Sequence, residues 1–359
     1  MLLLAPGPVP MEKQICDAAC VEQLPYFRGK VFADIVKEVS QGMKSVFQTQ
    51  YEPLVLTSSG TGLMEMAIVN LLNAGDKVIV INGGTFGQKW VNMCQAFNVE
   101  VKNLEVSLGK NPDMNKLENL IKPDIKAVLV NAHETSTGYL YDIEEIGKLT
   151  SKKSVLLIVD AVSAIGSDEF KMDEWHVDCA LVSTQKALAL MPGLGFIVFN
   201  QKAKDIINTV SQPRFYFNAN DYISNLSHGM TPFTPAMNII LQTRERLKEI
   251  ESKGVDALIT KHAELAKVFR NTIMDCWDLG FFPDRQSNAL TAIKLPAYAP
   301  MSKLVSYMRD KFDWWFAPNP TNREDYLRVS HMGNLDKETI RKVAENIVSV
   351  AKSFFKGEI

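Results

Sequence analysis

Residues 154–160 read SVLLIVD. Five apolar residues stand between Ser154 and Asp160, and no polar residue alternates among them. A strand with one wet face alternates apolar and polar side chains. An unbroken run of this length reads instead as a strand covered on both faces, as in a parallel sheet between helices. Runs of the same kind recur at PLVL (53–56), KVIVI (77–81), KAVLV (126–130), CALVS (179–183) and FIVF (196–199). Helical segments near 62–74, 86–97, 113–121 and 143–151 separate most of the earlier ones. Ahead of them, Phe32, Ile35, Val36, Val39, Met43, Val46 and Phe47 fall on one face of an amphipathic helix over 31–47. This alternation predicts an α/β fold with a mostly parallel sheet covered by helices. In such sheets ligands gather at the carboxyl ends of the strands.

A helix over 235–253 stops at Gly254, a residue suited to the position just past a helix end. Beyond it the pattern changes. A helix (256–275), a strand (290–295), a helix (301–311), the strand YLRVS (326–330) and a last helix (336–356) predict a smaller α+β domain. The expected division is an N-terminal arm over 1–15, a large domain over 16–254 and a small domain over 255–359.

The chain has 359 residues, 46% hydrophobic and 22% charged, with a net charge of −2. That balance offers no electrostatic footprint for nucleic acid or an anionic membrane. Every apolar run is interrupted before it reaches membrane-spanning length. The opening MLLLAPGPVP lacks a basic stretch, so no signal peptide is expected. The five cysteines, Cys16, Cys20, Cys94, Cys179 and Cys276, contain no Cys-x-x-Cys pair. The five histidines show no ligand-like spacing. The expectation is a cytoplasmic protein without metal.

Several strand ends carry chemistry. Asp160 closes SVLLIVD, where a carboxylate in low dielectric pairs with a buried cation such as a pyridinium nitrogen, or else simply caps a turn. Lys186 lies just past CALVS in LVSTQKALAL (181–190). A desolvated lysine loses proton affinity and becomes a better nucleophile toward an aldehyde; the ordinary alternative is a snorkelling side chain. Asp160 and Lys186 at adjacent strand ends say more together than either alone. Ser58-Ser59-Gly60-Thr61-Gly62 follows a strand and opens a helix, which suits one phosphate on free N–H groups, or a tight turn. It lacks the third glycine of a dinucleotide motif and the lysine of a P-loop. Phe86, in Gly83-Gly84-Thr85-Phe86-Gly87, is placed either to lie on an aromatic ring or to fill the core. Glu134-Thr135-Ser136-Thr137-Gly138 offers hydroxyls at another strand tip. Arg328, flanked by apolar residues in YLRVS, calls for an anionic partner: a substrate carboxylate or a structural ion pair.

In this order the motifs resemble the class V aminotransferases of fold type I, which use pyridoxal 5′-phosphate. The pattern is similar to the alanine–glyoxylate/serine–pyruvate group and, nearly as well, to the 2-aminoethylphosphonate–pyruvate aminotransferases. It includes APGP (5–8), SSGTG (58–62), the segment at 83–87, HETSTG (133–138), VDAVSA (159–164), STQKAL (183–188), TPFTPA (231–236) and LRVSHMG (327–333). The resemblance implies a seven-stranded sheet and a set of roles. Lys186 would hold the cofactor as a Schiff base and shuttle the proton. Asp160 would pair with the ring nitrogen. Val162 and Phe86 would pack on the two ring faces, and Thr135 would bond the ring hydroxyl. Gly60, Thr61 and Gln185 would hold the phosphate. Thr234 would reach the neighbouring subunit's phosphate, which implies a homodimer. Arg328 would grip the substrate α-carboxylate. The implied reaction moves an amino group from a small amino acid to glyoxylate or pyruvate by a ping-pong scheme. One departure is Thr231, where glyoxylate enzymes of this kind carry tyrosine.

Three other readings compete, and one of them, a non-catalytic binding protein on the same fold, is countered by the presence of both Asp160 and Lys186. Ser183 and Lys186 fit a Ser-x-x-Lys hydrolase, but Ser167-Asp168 is followed by Glu169 and no Lys-Thr-Gly occurs. A desulfurase or lyase on the same cofactor would want a nucleophilic cysteine on a mobile loop, and Cys276 falls far from where that loop is expected.

Overall fold

The computed structural model describes residues 1–21, 24–275 and 279–358. Its centre is a seven-stranded sheet of β1 (Leu54–Leu56), β2 (Lys77–Asn82), β3 (Glu100–Glu105), β4 (Ile125–Asn131), β5 (Leu156–Asp160), β6 (Cys179–Ser183) and β7 (Gly195–Phe199). The spatial order is β1-β7-β6-β5-β4-β2-β3. Every neighbouring pair is parallel except those made by β7, which runs antiparallel to both β1 and β6. The apolar runs account for six of these strands. The seventh, β3, has the sequence EVKNLE, and only Leu104 in it is buried. It lies at the sheet edge, where a strand gains its partner on one side and needs no continuous apolar run. That is why the sequence reading missed it.

The helix Gly60–Leu71 begins two residues earlier than the periodicity predicts, because Ser59 caps it: its Oγ accepts from the Gly62 N–H at 3.4 Å. Gly60, Thr61 and Gly62 therefore form the first helical turn. Eight of the helix's residues are buried, so it is an interior helix held between the sheet and neighbouring helices. The helices Lys30–Phe47 and Met237–Lys253 pack on each other, close to their predicted bounds. Three short helices, Lys13–Asp17, Gln201–Ile207 and Ala219–Ser227, have no counterpart in the sequence reading.

A second apolar core, built from residues such as Phe269, Leu304, Met308, Val329 and Ile347, lies apart from the one around the large sheet. It backs a three-stranded antiparallel sheet of Gly280–Phe281, Leu290–Lys294 and Tyr326–Ser330. The first residues of the chain join this core. Leu4 is fully buried in it, Leu2–Leu3 pair in parallel with Trp314–Trp315, and Ser330 N–H donates to the Leu4 carbonyl at 2.9 Å. A small apolar group of Val9, Ala187, Ala189, Ala289 and Met332 then ties together the N-terminal stretch, the segment after Lys186 and the second core's strands.

Gly147 shows how tightly the large-domain layers meet. It sits inside the helix Ile143–Lys152, where alanine is ordinarily better by about 1 kcal/mol. Here a Cβ would lie 1.8 Å from the Trp175 carbonyl oxygen, a backbone atom that cannot step aside. We expect Gly147→Ala to lower the unfolding free energy by about 2–3 kcal/mol, the range of overpacked cores, in urea titrations followed by circular dichroism. Unchanged or increased stability would show that the helix and the Trp175 loop move apart freely.

Candidate active site

β4, β5 and β6 are adjacent and parallel, so their carboxyl ends open on one edge. Asp160 is the last residue of β5 and pairs in register with Asn131 on one side and Leu181 on the other. Its carboxylate is buried and accepts one hydrogen bond, from the Val162 N–H at 2.9 Å. Burial disfavours the charged form, and the carboxyl is pushed up to about 6. Lys186 follows β6 by three residues. Its surroundings exclude enough water to pull the amine down to about 8, and the Arg328 guanidinium adds to that effect while Asp160 opposes it. The amine donates to the Pro6 carbonyl at 2.5 Å. Gly7 crosses so close to the lysine that a Cβ there would lie 2.8 Å from Lys186 Cδ, and its φ of +136° is in the region that favours glycine. The N-terminal stretch thus lies directly over Lys186.

The loop after β4 is held by Glu134. This buried carboxylate accepts from the N–H groups of Phe86 (3.3 Å) and Gly87 (2.9 Å), from Asn131 Nδ2 (3.1 Å), and from both the N–H and the hydroxyl of Ser136. It satisfies the first turn of the helix Thr85–Ala96 and so fixes where Phe86 stands. Thr135 donates to Ser163 Oγ at 2.7 Å, and His133 Nδ1 meets the Ser163 carbonyl at 3.0 Å. Burial pulls the His133 imidazole down to about 3, so the ring is neutral. Since Nδ1 faces a carbonyl it carries the hydrogen, which leaves Nε2 as an acceptor. Arg328 donates to the Thr135 carbonyl (3.0 Å) and the Pro318 carbonyl (2.5 Å), which joins the small sheet to this loop. Its ordinary alternative, an ion pair with a carboxylate, is not formed among the described residues.

At the SSGTG loop, the Cβ position of Gly60 lies 3.1 Å from Val162 Cγ2 and 3.4 Å from Ser183 Oγ. The loop therefore packs against the ends of β5 and β6. Lys89, one helical turn beyond Phe86, donates to Thr61 Oγ1 at 3.0 Å and stands 5.0 Å from the Phe86 ring centroid. So Lys186, Asp160, Val162, Gly60, Thr61, Phe86, Thr135 and Arg328 form one contiguous set. Gln185 is half-buried beside it, next to Thr184, whose hydroxyl is tied to the Met191 and Leu194 carbonyls. Thr234 stands outside the set and is exposed; its segment is anchored by the Ala236 N–H to Thr57 Oγ1 at 2.7 Å. The sequence reading passed over Lys89, His133 and Ser163. Lys89 had a signal, the i, i+3 spacing from Phe86. Ser163 and His133 had none, because their partnership joins two strand ends 30 residues apart.

Three residues of this region each keep a buried polar atom without a hydrogen-bond partner: Ser183 Oγ, His133 Nε2 and Arg328 Nε. Of the described cysteines, Cys94 and Cys179 are buried and their thiols are pushed up by burial, Cys94 to about 12. Neither is an activated nucleophile. Cys276 lies outside the described residues. Among the described residues no cluster of three His, Cys, Asp or Glu side chains is arranged to hold a metal ion. No helix among them is long and apolar enough to cross a membrane.

The fold of this parallel-centred sheet and its smaller partner is that of solved aminotransferase structures. The structure of an aspartate aminotransferase from Thermus thermophilus superposes with a TM-score of 0.91, covering 99% of this chain and 100% of that one at 24% identity. The chain belongs to the aminotransferase class-V family, whose model matches residues 19–310. An L-aspartate–glyoxylate aminotransferase of Paracoccus denitrificans is 30% identical, with 93% of this chain and 86% of that protein covered. A Synechococcus protein named as the small subunit of a soluble hydrogenase is 31% identical, with 92% and 88% covered.

The raised Asp160 pKa gives a stability test. The folded carboxyl keeps its proton to about pH 6, whereas the unfolded one loses it near the ordinary 3.8. Between these values the folded state binds more protons, so stability falls as pH rises, and the full cost is present above pH 6. The cost is on the order of 3 kcal/mol. Asp160→Asn keeps an oxygen for the Val162 N–H. In cofactor-free protein it is expected to melt higher than wild type at pH 7–8, with the difference shrinking toward zero near pH 4. Equal melting temperatures at pH 8 would contradict the desolvated carboxylate.

Proposed function

We propose that this chain is a pyridoxal 5′-phosphate-dependent aminotransferase that moves an amino group from a small amino acid, of the alanine or serine type, to a 2-oxo acid such as glyoxylate or pyruvate. The observation that carries the reading is the buried Asp160 and desolvated Lys186 at neighbouring strand ends, with three unpartnered buried polar atoms in the same region. Those orphaned groups fit a polar cofactor and a carboxylate substrate far better than a closed apolar core. Bound there, the cofactor would supply an aldehyde for Lys186 and a protonated pyridine ring that draws electrons from the substrate's α-carbon.

Each residue's contribution follows from its setting. Asp160, once paired with the ring nitrogen, regains its charge, because a buried carboxylate is stabilised by a cation. Lys186, with an amine already pulled down to about 8, is suited to act as a base near neutral pH and would carry the proton removed from the substrate's α-carbon. Val162 and Phe86 would pack on the cofactor's ring, Thr135 would bond its hydroxyl, and Gly60, Thr61 and Gln185 would hold its phosphate at a capped helix start. Arg328 spends one hydrogen of each terminal nitrogen on a backbone carbonyl, which orients the planar fork and leaves Nε free for a carboxylate. The Paracoccus relative's aspartate–glyoxylate activity supports glyoxylate as acceptor.

The same reading makes the chain a homodimer with Thr234 contributed across the interface. Support comes from the aromatic group beside the phosphate loop: Tyr216 stacks on Phe233 at 4.8 Å and bonds the Thr57 carbonyl, while Phe215 is 81% exposed. Apolar exposure of this kind is characteristic of an interface. The two separate cores support dividing the chain into an arm (1–15), a large domain (16–254) and a small domain (255–359). Free cysteines at 16, 20, 94 and 179 fit a cytoplasmic setting.

Two measurements test the reading. Wild-type protein with pyridoxal phosphate is expected to show a visible absorbance band that borohydride bleaches, and Lys186→Ala should lack both the band and transamination. Retained turnover in Lys186→Ala would overturn the assignment. In a half-reaction screen of alanine, serine, aspartate and 2-aminoethylphosphonate, Arg328→Lys should raise the KM of the preferred carboxylate donor roughly 10- to 100-fold, as loss of a charge-assisted pair does. An unchanged KM would remove Arg328 from the substrate site.

A further inference from the structure

Lys89 is the cation that the roles assigned above leave without work. It projects from the second turn of the helix Thr85–Ala96, on the same side as Phe86, and its ammonium donates to Thr61 Oγ1 at 3.0 Å. It makes no ion pair among the described residues. Thr61 lies in the first turn of the helix Gly60–Leu71, where unpaired N–H groups already carry partial positive charge. The Asp160 carboxylate feels the Lys89 charge without forming an ion pair with it, so a lysine held against a helix start has room for an anion between the two. The orphaned Ser183 hydroxyl, next to Gly60 in the same corner, is a second group waiting for a polar partner.

We propose that Lys89 is a counter-ion for the phosphate monoester of the bound cofactor, acting directly and through Thr61. The inference rests on the cofactor reading given above and adds a residue to it. Because Lys89 donates to Thr61 Oγ1, the threonine's own O–H proton is turned away from the lysine and toward the helix start, where it donates to the same phosphate. The ammonium stands over the Phe86 ring, 5.0 Å from its centroid, so one side chain links the ring-stacking residue to the phosphate loop. The anion recognised is a phosphate monoester rather than a second carboxylate on the substrate.

The test uses full-length protein stripped of cofactor and compares binding of pyridoxal 5′-phosphate with binding of pyridoxal, which lacks the phosphate. Binding is read by tryptophan fluorescence and visible absorbance. Lys89→Met is expected to weaken pyridoxal phosphate roughly 10- to 100-fold, the range for losing a charge-assisted contact, with pyridoxal changed less than about twofold. Lys89→Arg should restore most of the affinity. Raising the salt concentration should weaken cofactor binding in wild type more than in Lys89→Met. Equal affinity of wild type and Lys89→Met for pyridoxal phosphate overturns the proposal. So does an equal loss for both ligands, which marks a folding defect. A raised KM for the amino donor at unchanged cofactor affinity also overturns it, by assigning Lys89 to substrate. Failure of wild type to bind either ligand overturns the cofactor reading itself, a result distinct from these three.

Discussion

The site depends on two ionisable groups at neighbouring strand ends, Asp160 buried and Lys186 half-buried beneath the N-terminal stretch. Asp160 ends a strand buried on both faces, and Lys186 follows the strand beside it. Each is displaced toward its neutral form, the acid up to about 6 and the amine down to about 8. Folding alone would favour uncharged side chains in both places. The arrangement is held by the register of β5 on β6, which fixes the pair at one edge, and by one hydrogen bond to each group, from the Val162 N–H and to the Pro6 carbonyl. A slip of one residue in that register would turn Asp160 to the other face of the sheet and dissolve the site.

Around that pair the structure distributes its supports by layer. The large sheet carries Asp160, Val162 and the approach to Lys186. The loop after β4 is organised by Glu134, whose carboxylate binds two chain segments, the start of the helix at Thr85 and the hydroxyl-rich turn at 135–137. The small domain reaches in through Arg328, and the first ten residues pass over the lysine through Pro6 and Gly7. Four separate parts of the chain therefore converge on the strand ends that carry Asp160 and Lys186.

The strands were legible because a buried parallel sheet needs long apolar runs, and six of its seven strands announce themselves that way. EVKNLE did not, since an edge strand is held by backbone pairing more than by its side chains. The short helices at 201–207 and 219–227 are too brief to build a convincing period of their own. Asp160, Lys186 and the SSGTG loop could be read as site residues because each follows an apolar strand, a local signal. Lys89 was overlooked although its spacing from Phe86 was available. The roles of Ser163 and His133 could not be read, because they arise only when two strand ends come side by side.

The sequence by itself determined the α/β frame, the family and the chemical types at the strand tips, since these follow from apolar runs, turn residues and motif order along the chain. Tertiary structure alone decided what each tip faces. It reversed β7 within a parallel sheet, started the phosphate-side helix at Gly60, laid Pro6 on Lys186 and Lys89 on Thr61, and left Ser183, His133 and Arg328 with buried, unpartnered atoms. The reason is distance along the chain. Lys186 and Pro6 are 180 residues apart, and Arg328 and Thr135 are 193 apart. No local pattern encodes such a contact; it exists only once sheet order and register have brought the segments together.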